Sequence, residues 1–93
     1  MNINKLVEEI KDSMRIKHSA LDKDIRKNIK SALQDMKMRG VAIPKKDDEL
    51  VGKACELYCK GQYNYLGEGE RYTQNYESLR DSMSLSGDYN GKK

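Results

Sequence analysis

Apolar residues recur along most of this chain at helical spacing. Ile3, Leu6, Val7, Ile10 and Met14 fall at i, i+3, i+4, i+7 and i+11, which is one face of a helix. Asn2 stands where an N-cap belongs, with Met1 and Leu6 placed for a hydrophobic staple across it. After a short link from Arg15 to His18, a second stripe runs through Leu21, Ile25, Ile29, Ala32, Leu33 and Met36. It predicts a helix from about Ala20 to Arg39. Ser19 would open it in a capping box with Asp22, and Gly40 would close it as a left-handed cap.

Val41-Ala42-Ile43-Pro44 cannot continue that helix, because residues before proline avoid helical angles. The stretch should lie extended against the bundle or pair as a short strand with a neighbouring chain. Asp47 is placed to cap a third helix, and Asp48 and Glu49 in its first turn suit the positive end of its dipole. Leu50, Val51, Ala54, Cys55, Leu57 and Tyr58 give that helix a broad apolar face, and Gly61 weakens its end. Tyr63 to Gly69 reads as a loop. A fourth helix, about Glu70 to Ser84, carries Tyr72, Tyr76, Leu79 and Met83 on one face. The polar residues 86–93, with two glycines and two terminal lysines, read as a flexible tail. The expected fold is all-α. A helical domain over 1–85 forms a small bundle of about four helices with an extended Val-Ala-Ile-Pro connection.

Composition makes the core of this bundle lean. Of 93 residues 35% are charged, against roughly 25% in an average domain, and there is no Trp or Phe. A chain of this length buries only roughly 60–65% of the surface it exposes unfolded. Small cores of this kind are completed by a disulfide, a metal or a neighbouring subunit. Cys55 and Cys59 share a helix face, where the geometry does not favour a disulfide. Zinc wants four ligands, and the lone imidazole, His18, is distant. The thiols are therefore expected as small reduced core residues, with no metal and no cofactor. A neighbouring copy gains weight as the completing element.

The net charge of +3 is mild, and most of the excess lies between Ser19 and Gly40. Lys23, Arg26, Lys27, Lys30 and Lys37 line one face there, roughly 130° from the apolar stripe by helix geometry. Such a face either meets phosphates or is simply solvated. A helix-turn-helix would need a break that the unbroken periodicity from Leu21 to Met36 does not provide. No apolar run approaches the roughly 20 residues that span a bilayer, and Met1 to Lys5 lacks the apolar stretch of a signal peptide. The expectation is a soluble cytoplasmic protein with no membrane partner.

Catalytic groupings are weak. His18 sits in a polar link, where a solvated or capping role is the simpler reading. Glu8-Glu9 and Asp47-Asp48 are explained by helix dipoles and solubility. Gly67-Glu68-Gly69 lacks the Lys-Ser/Thr ending of a phosphate loop, and its glutamate would repel phosphate. An enzyme is not expected. Tyrosine is the other signal: five of six fall between Tyr58 and Tyr76. Tyr58, Tyr72 and Tyr76 lie on apolar stripes. Tyr63 and Tyr65 fall in the loop, and Leu85 and Tyr89 off the last stripe, where they fold back or dock on a neighbour. Candidate contact residues are thus Val41, Ile43, Tyr63, Tyr65, Leu85 and Tyr89.

The stretch Asp47 to Tyr89 resembles the head-tail connector (adaptor, or DNA-packaging) proteins of long-tailed bacteriophages and prophages. The likeness rests on Leu57-Tyr58, the Gln62 to Gly67 loop, Glu70-Arg71-Tyr72, Tyr76-Glu77-Ser78-Leu79-Arg80, Met83 with Leu85, and Ser86-Gly87-Asp88-Tyr89. It is looser from Arg15 to Val41. Gly61, where relatives often carry Ala, and the pair Cys55 and Cys59 depart from the family pattern. The resemblance implies a small helical subunit of a homo-oligomeric ring below the portal protein. That ring extends the DNA channel and offers a platform to a tail-side completion protein. It implies a place in the virion, at the head-tail junction, after assembly in host cytoplasm. It brings no catalytic residues. Lys23, Arg26, Lys27, Lys30 and Lys37 become a candidate DNA-channel face, with weak, salt-sensitive contact to double-stranded DNA at most. The competing reading is a small helical nucleic-acid-binding regulator using the same face.

Overall fold

Four helices account for the architecture of residues 1–91, which the computed structural model describes. The first, α1, spans Ile3–Ser13, with the Asn2 side chain accepting the Lys5 N–H at 3.1 Å as its cap. Its stripe buries Leu6, Val7, Ile10 and Met14. The expected α1 is therefore present with its expected face inward.

The second helix, α2, spans Asp22–Met38 and starts later than the capping-box reading expects. Ser19 caps nothing with its side chain. Its carbonyl accepts the Asp22 N–H at 3.1 Å, and His18 Nδ1 accepts the Ala20 N–H at 3.3 Å. The reason is tertiary: the Asp22 carboxylate that would complete the box is held by Lys11 Nζ of α1 at 2.8 Å. At the other end the expectation holds. Gly40 takes φ +94, the Val41 N–H reaches Met36 O at 2.9 Å, and the Gly40 N–H reaches Lys37 O at 3.2 Å. That double bond pattern is the Schellman closure, whose left-handed position favours glycine, although α1 closes with the same bonds on Arg15 at φ 59.

The third helix, α3, spans Glu49–Gln62 and is capped by Asp48 rather than Asp47. Asp48 Oδ1 accepts the Val51 N–H at 3.0 Å. Asp47 turns instead to the start of α1, where it accepts the Asn2 N–H at 2.9 Å and pairs with Lys5 at 3.6 Å. Gly61 does not end the helix. A Cβ there would collide with Thr73 Oγ1 of the last helix, so the glycine permits a close crossing.

A left-handed Asn64 and a single 3-10 turn at Tyr65–Gly67 lead into α4, Gly69–Leu85. Residues 86–91, expected as part of a flexible tail, return over the bundle instead. Tyr89 O accepts the Ala42 N–H, and the Tyr89 hydroxyl reaches Asp48 Oδ1 and Oδ2 at 3.1 and 3.0 Å. Tyr89 thus folds back on its own chain. The tail's terminal lysines lie outside the described residues. The Val41–Pro44 stretch is extended against the core as expected, and its neighbour is this returning segment of its own chain.

Consecutive helices run antiparallel. One end of the bundle, the Asp48 end, gathers the starts of α1 and α3 with the finishes of α2 and α4. There the Met1 amine donates to Lys45 O at 2.7 Å, and Gly40 lies beside Ser84. The opposite, Tyr63 end gathers the remaining termini, with the Tyr65 hydroxyl near Ser13 O at 3.5 Å. Ile10, Ile25, Ile29, Met36, Val51, Cys55 and Cys59 fill the centre. Both cysteines are free and fully buried there, as expected of small core residues.

Candidate functional site

The basic face of α2 is real but smaller than its sequence suggests. Lys23, Lys27, Lys30 and Lys37 are exposed, and none of them forms an ion pair among the described residues. From Lys23 to Lys37 the row covers about 21 Å at 1.5 Å per residue. Arg26 leaves the row. It is half-buried, and its Nη2 donates to Asn4 Oδ1 at 2.7 Å, tying α2 to α1.

The acids of α2 are engaged elsewhere. Asp24 accepts the Tyr63 hydroxyl. Asp35 Oδ2 accepts the Tyr76 hydroxyl at 2.6 Å and Arg80 Nη1 at 2.9 Å. Desolvation alone would raise the Asp35 carboxyl. The hydrogen bonds from Tyr76 and Arg80, with the Arg80 charge, outweigh it and hold Asp35 below the ordinary carboxylate value. Burial first, then the bond to Asp35, pushes the Tyr76 hydroxyl far above the usual phenol range. Arg80 is only 6% exposed. Its guanidinium also bonds Asp81 through Nε at 3.0 Å and lies 5.6 Å from the Tyr76 ring centre. Tyr58 meets Tyr76 edge-on, with ring centres 5.1 Å apart. This knot pins α4 to α2 beside a pocket of about 250 Å³.

Of the six candidate contact residues, the protomer itself uses most. Val41 is 2% exposed and belongs to the core, a correction to its reading as a contact residue. Its burial follows from the Schellman closure, which turns the chain inward directly after Gly40. Ile43, Tyr63, Tyr65 and Tyr89 are half-buried against that core. Tyr63 is spent on Asp24, and Tyr89 on Asp48. The Tyr65 ring packs near Tyr72, with Lys60 Nζ 5.4 and 5.5 Å from the two ring centres. Leu85 alone stays outside, at 83% exposed.

Sequence reasoning missed two companions of Leu85. Met38 is 75% and Leu66 73% exposed, and Leu50 is also exposed. By the helix directions above, Met38, Leu50 and Leu85 all belong to the Asp48 end, and Leu66 to the Tyr63 end. The available signal was that Met38 falls off the α2 stripe and Leu66 lies in the connection. Leu50, expected on the apolar face of α3, is a correction: it sits in the first turn and is exposed.

The other feature of the surface is a groove of about 510 Å³ between α1 and α3. Leu6 and Gly52 lie in it. Glu9, Asp47, Asp48, Glu49 and Glu56 line it against Lys5, Lys53 and the Met1 amine, so it is negative on balance. Among the described residues, no group of three or more His, Cys, Asp or Glu side chains is placed to hold a metal ion. No helix there is long and apolar enough to cross a membrane.

These features define a small all-α bundle with a basic face, an acidic groove and apolar ends. Comparison of the chain with family models, with curated proteins and with solved structures finds no match.

Proposed function

We propose that this chain is a structural subunit of a phage or prophage head-tail connector, forming a homo-oligomeric ring under the portal protein. Its role there is mechanical: to extend the DNA channel and to present a platform to a tail-side completion protein. The observation that carries the reading is the placement of large apolar side chains. Met38, Leu50 and Leu85 stand exposed at one end of the bundle and Leu66 at the other. A monomer gains nothing from keeping them in water, whereas a collar subunit has a neighbour at each end to cover them. The stretch that resembles connector proteins folds consistently with such a role. Tyr76 and Arg80 of its Y-x-S-L-R run fix α4 to α2, which holds the Leu85 end in one position.

The second reading, a nucleic-acid-binding regulator, is favoured by one observation: Lys23, Lys27, Lys30 and Lys37 are exposed and have no ion partner among the described residues. Against it, α2 is a single uninterrupted helix, and the turn that a helix-turn-helix requires is absent from it. Capture by purified portal protein separates the two. The connector reading expects retention on portal that Leu85→Asp abolishes, and no sub-micromolar duplex binding near physiological salt. Tight duplex binding with no portal retention would reverse the choice.

A further inference from the structure

The basic face of α2 and the acidic groove are separate surfaces of the molecule. The groove lies between α1 and α3, while the exposed lysines stand on α2, which touches both of those helices. The two features also share a height along the bundle. Arg26 of α2 reaches Asn4, and α1 from Asn2 to Glu9 forms one wall of the groove. Because α2 runs antiparallel to α1, with Lys11 beside Asp22 and Asn4 beside Arg26, Lys27 and Lys30 stand level with that wall and Lys37 lies beyond it.

Both faces are unpartnered in the protomer. Lys27, Lys30 and Lys37 have no ion pair among the described residues, and neither have Glu9 and Glu49 at the rim of the groove. Asp47 and Glu56 of the groove stay ionised at neutral pH. The Asn2 N–H, outweighing desolvation and helped by Lys5, holds Asp47 below its ordinary value. Glu56 is likewise held low by Lys60 and Lys53 against the opposing effect of burial.

We infer that the α2 face docks into the α1–α3 groove of a second copy of this chain, with Lys27, Lys30 and Lys37 meeting Glu9 and Glu49. Opposite charges on two different faces give a head-to-tail contact, the kind that closes into a ring when the rotation between copies permits. The inference rests on the connector reading and deepens it, because it assigns these lysines to a neighbour and not to DNA in the channel.

The test is a charge swap on the full chain, followed by sedimentation at low and high salt. The Lys27→Glu/Lys30→Glu protein and the Glu9→Lys/Glu49→Lys protein should each need about tenfold more protein to assemble than wild type at low salt. Mixed together, the two should recover assembly, since each reversed face then meets its complement. All four positions are exposed, so wild-type helicity in both variants is expected. Wild type that assembles alongside variants that assemble equally well would overturn this contact and leave the connector reading standing. A mixture that stays apart would do the same, as would a Lys27→Glu/Lys30→Glu protein that assembles normally but loses duplex binding. Wild type that never assembles, alone or on portal, would remove the connector reading itself.

Discussion

Arg80 of α4 donates from Nη1 to Asp35 Oδ2 of α2 at 2.9 Å, and this pair is the main polar tie between helices with few other direct links. Asp35 is about one-third exposed, while the guanidinium is almost wholly covered. Removing the acid is therefore the more damaging change, because it leaves a buried cation with Asp81 alone for company. Asp35→Ala should cost about 2–3 kcal/mol and Arg80→Leu nearer 1 kcal/mol. The double variant should cost less than the two single changes together, with a coupling of about 1 kcal/mol. Urea denaturation of the four proteins measures this. Strict additivity would show that the pair is merely adjacent.

The same carboxylate sets a pH dependence. Asp35 is held below its ordinary value of 3.8 in the folded chain, so the unfolded chain binds the proton more readily. Its contribution is complete above about pH 4 and is lost as pH falls through the folded value. Asp47 and Glu56 are lowered too and act in the same direction. Stability should fall steeply on acidification below about pH 4, and Asp35→Asn should flatten that limb. Urea midpoints taken at descending pH show it, and an identical slope in the variant would exclude Asp35 as a source.

At Gly69 the chain has no room for a side chain. A Cβ there would lie 2.9 Å from both Asn64 Cα and Gly61 O, which are backbone atoms that cannot rotate away. Gly69→Ala should destabilise by about 2 kcal/mol or more. Gly87→Ala, whose Cβ would meet nothing within 4 Å, should be neutral or mildly stabilising. Thermal melting of the two variants compares them directly. Equal melting temperatures would mean that the α3–α4 crossing loosens at little cost.

Burial pushes the thiols of Cys55 and Cys59 up to about 12 from 9.0, with smaller contributions from nearby negative charge. A shift of that size lowers the thiolate fraction near neutral pH by roughly a thousandfold relative to an ordinary cysteine. Both should resist a disulfide reagent in the native protein and react together as urea unfolds it. Rapid labelling of either one without denaturant would contradict this burial.

Much of the fold was legible because the apolar spacing is unbroken within each helix. Ile25, Ile29, Ala32 and Met36 mark the inner face of α2 as periodicity alone would place it. Gly40 was readable because glycine takes a left-handed cap at least cost, whereas Arg15, which closes α1 in the same conformation, gave no such signal. What failed depended on partners distant in sequence. Ser19 loses its capping box because Lys11 takes Asp22. Asp47 yields the α3 cap to Asp48 because Asn2 is waiting for it. The burial of Arg80 depends on Asp35 of α2 and on the Tyr76 ring, although its position four residues after Tyr76 already put it at the edge of the buried stripe. The basic row on α2 was found from spacing, except that Arg26 is spent on Asn4. The groove between α1 and α3 joins segments about 45 residues apart in the chain, as the bond between Asn2 and Asp47 shows, and no local pattern announces it.

The central claim is that this protomer is built to be one of several around a portal vertex. Sedimentation velocity of the wild-type chain titrated onto purified portal tests it most directly. The account predicts a portal boundary that moves faster and then saturates as a fixed number of copies completes a ring. A portal boundary that never shifts, beside a chain that remains a monomer at every concentration, would contradict it.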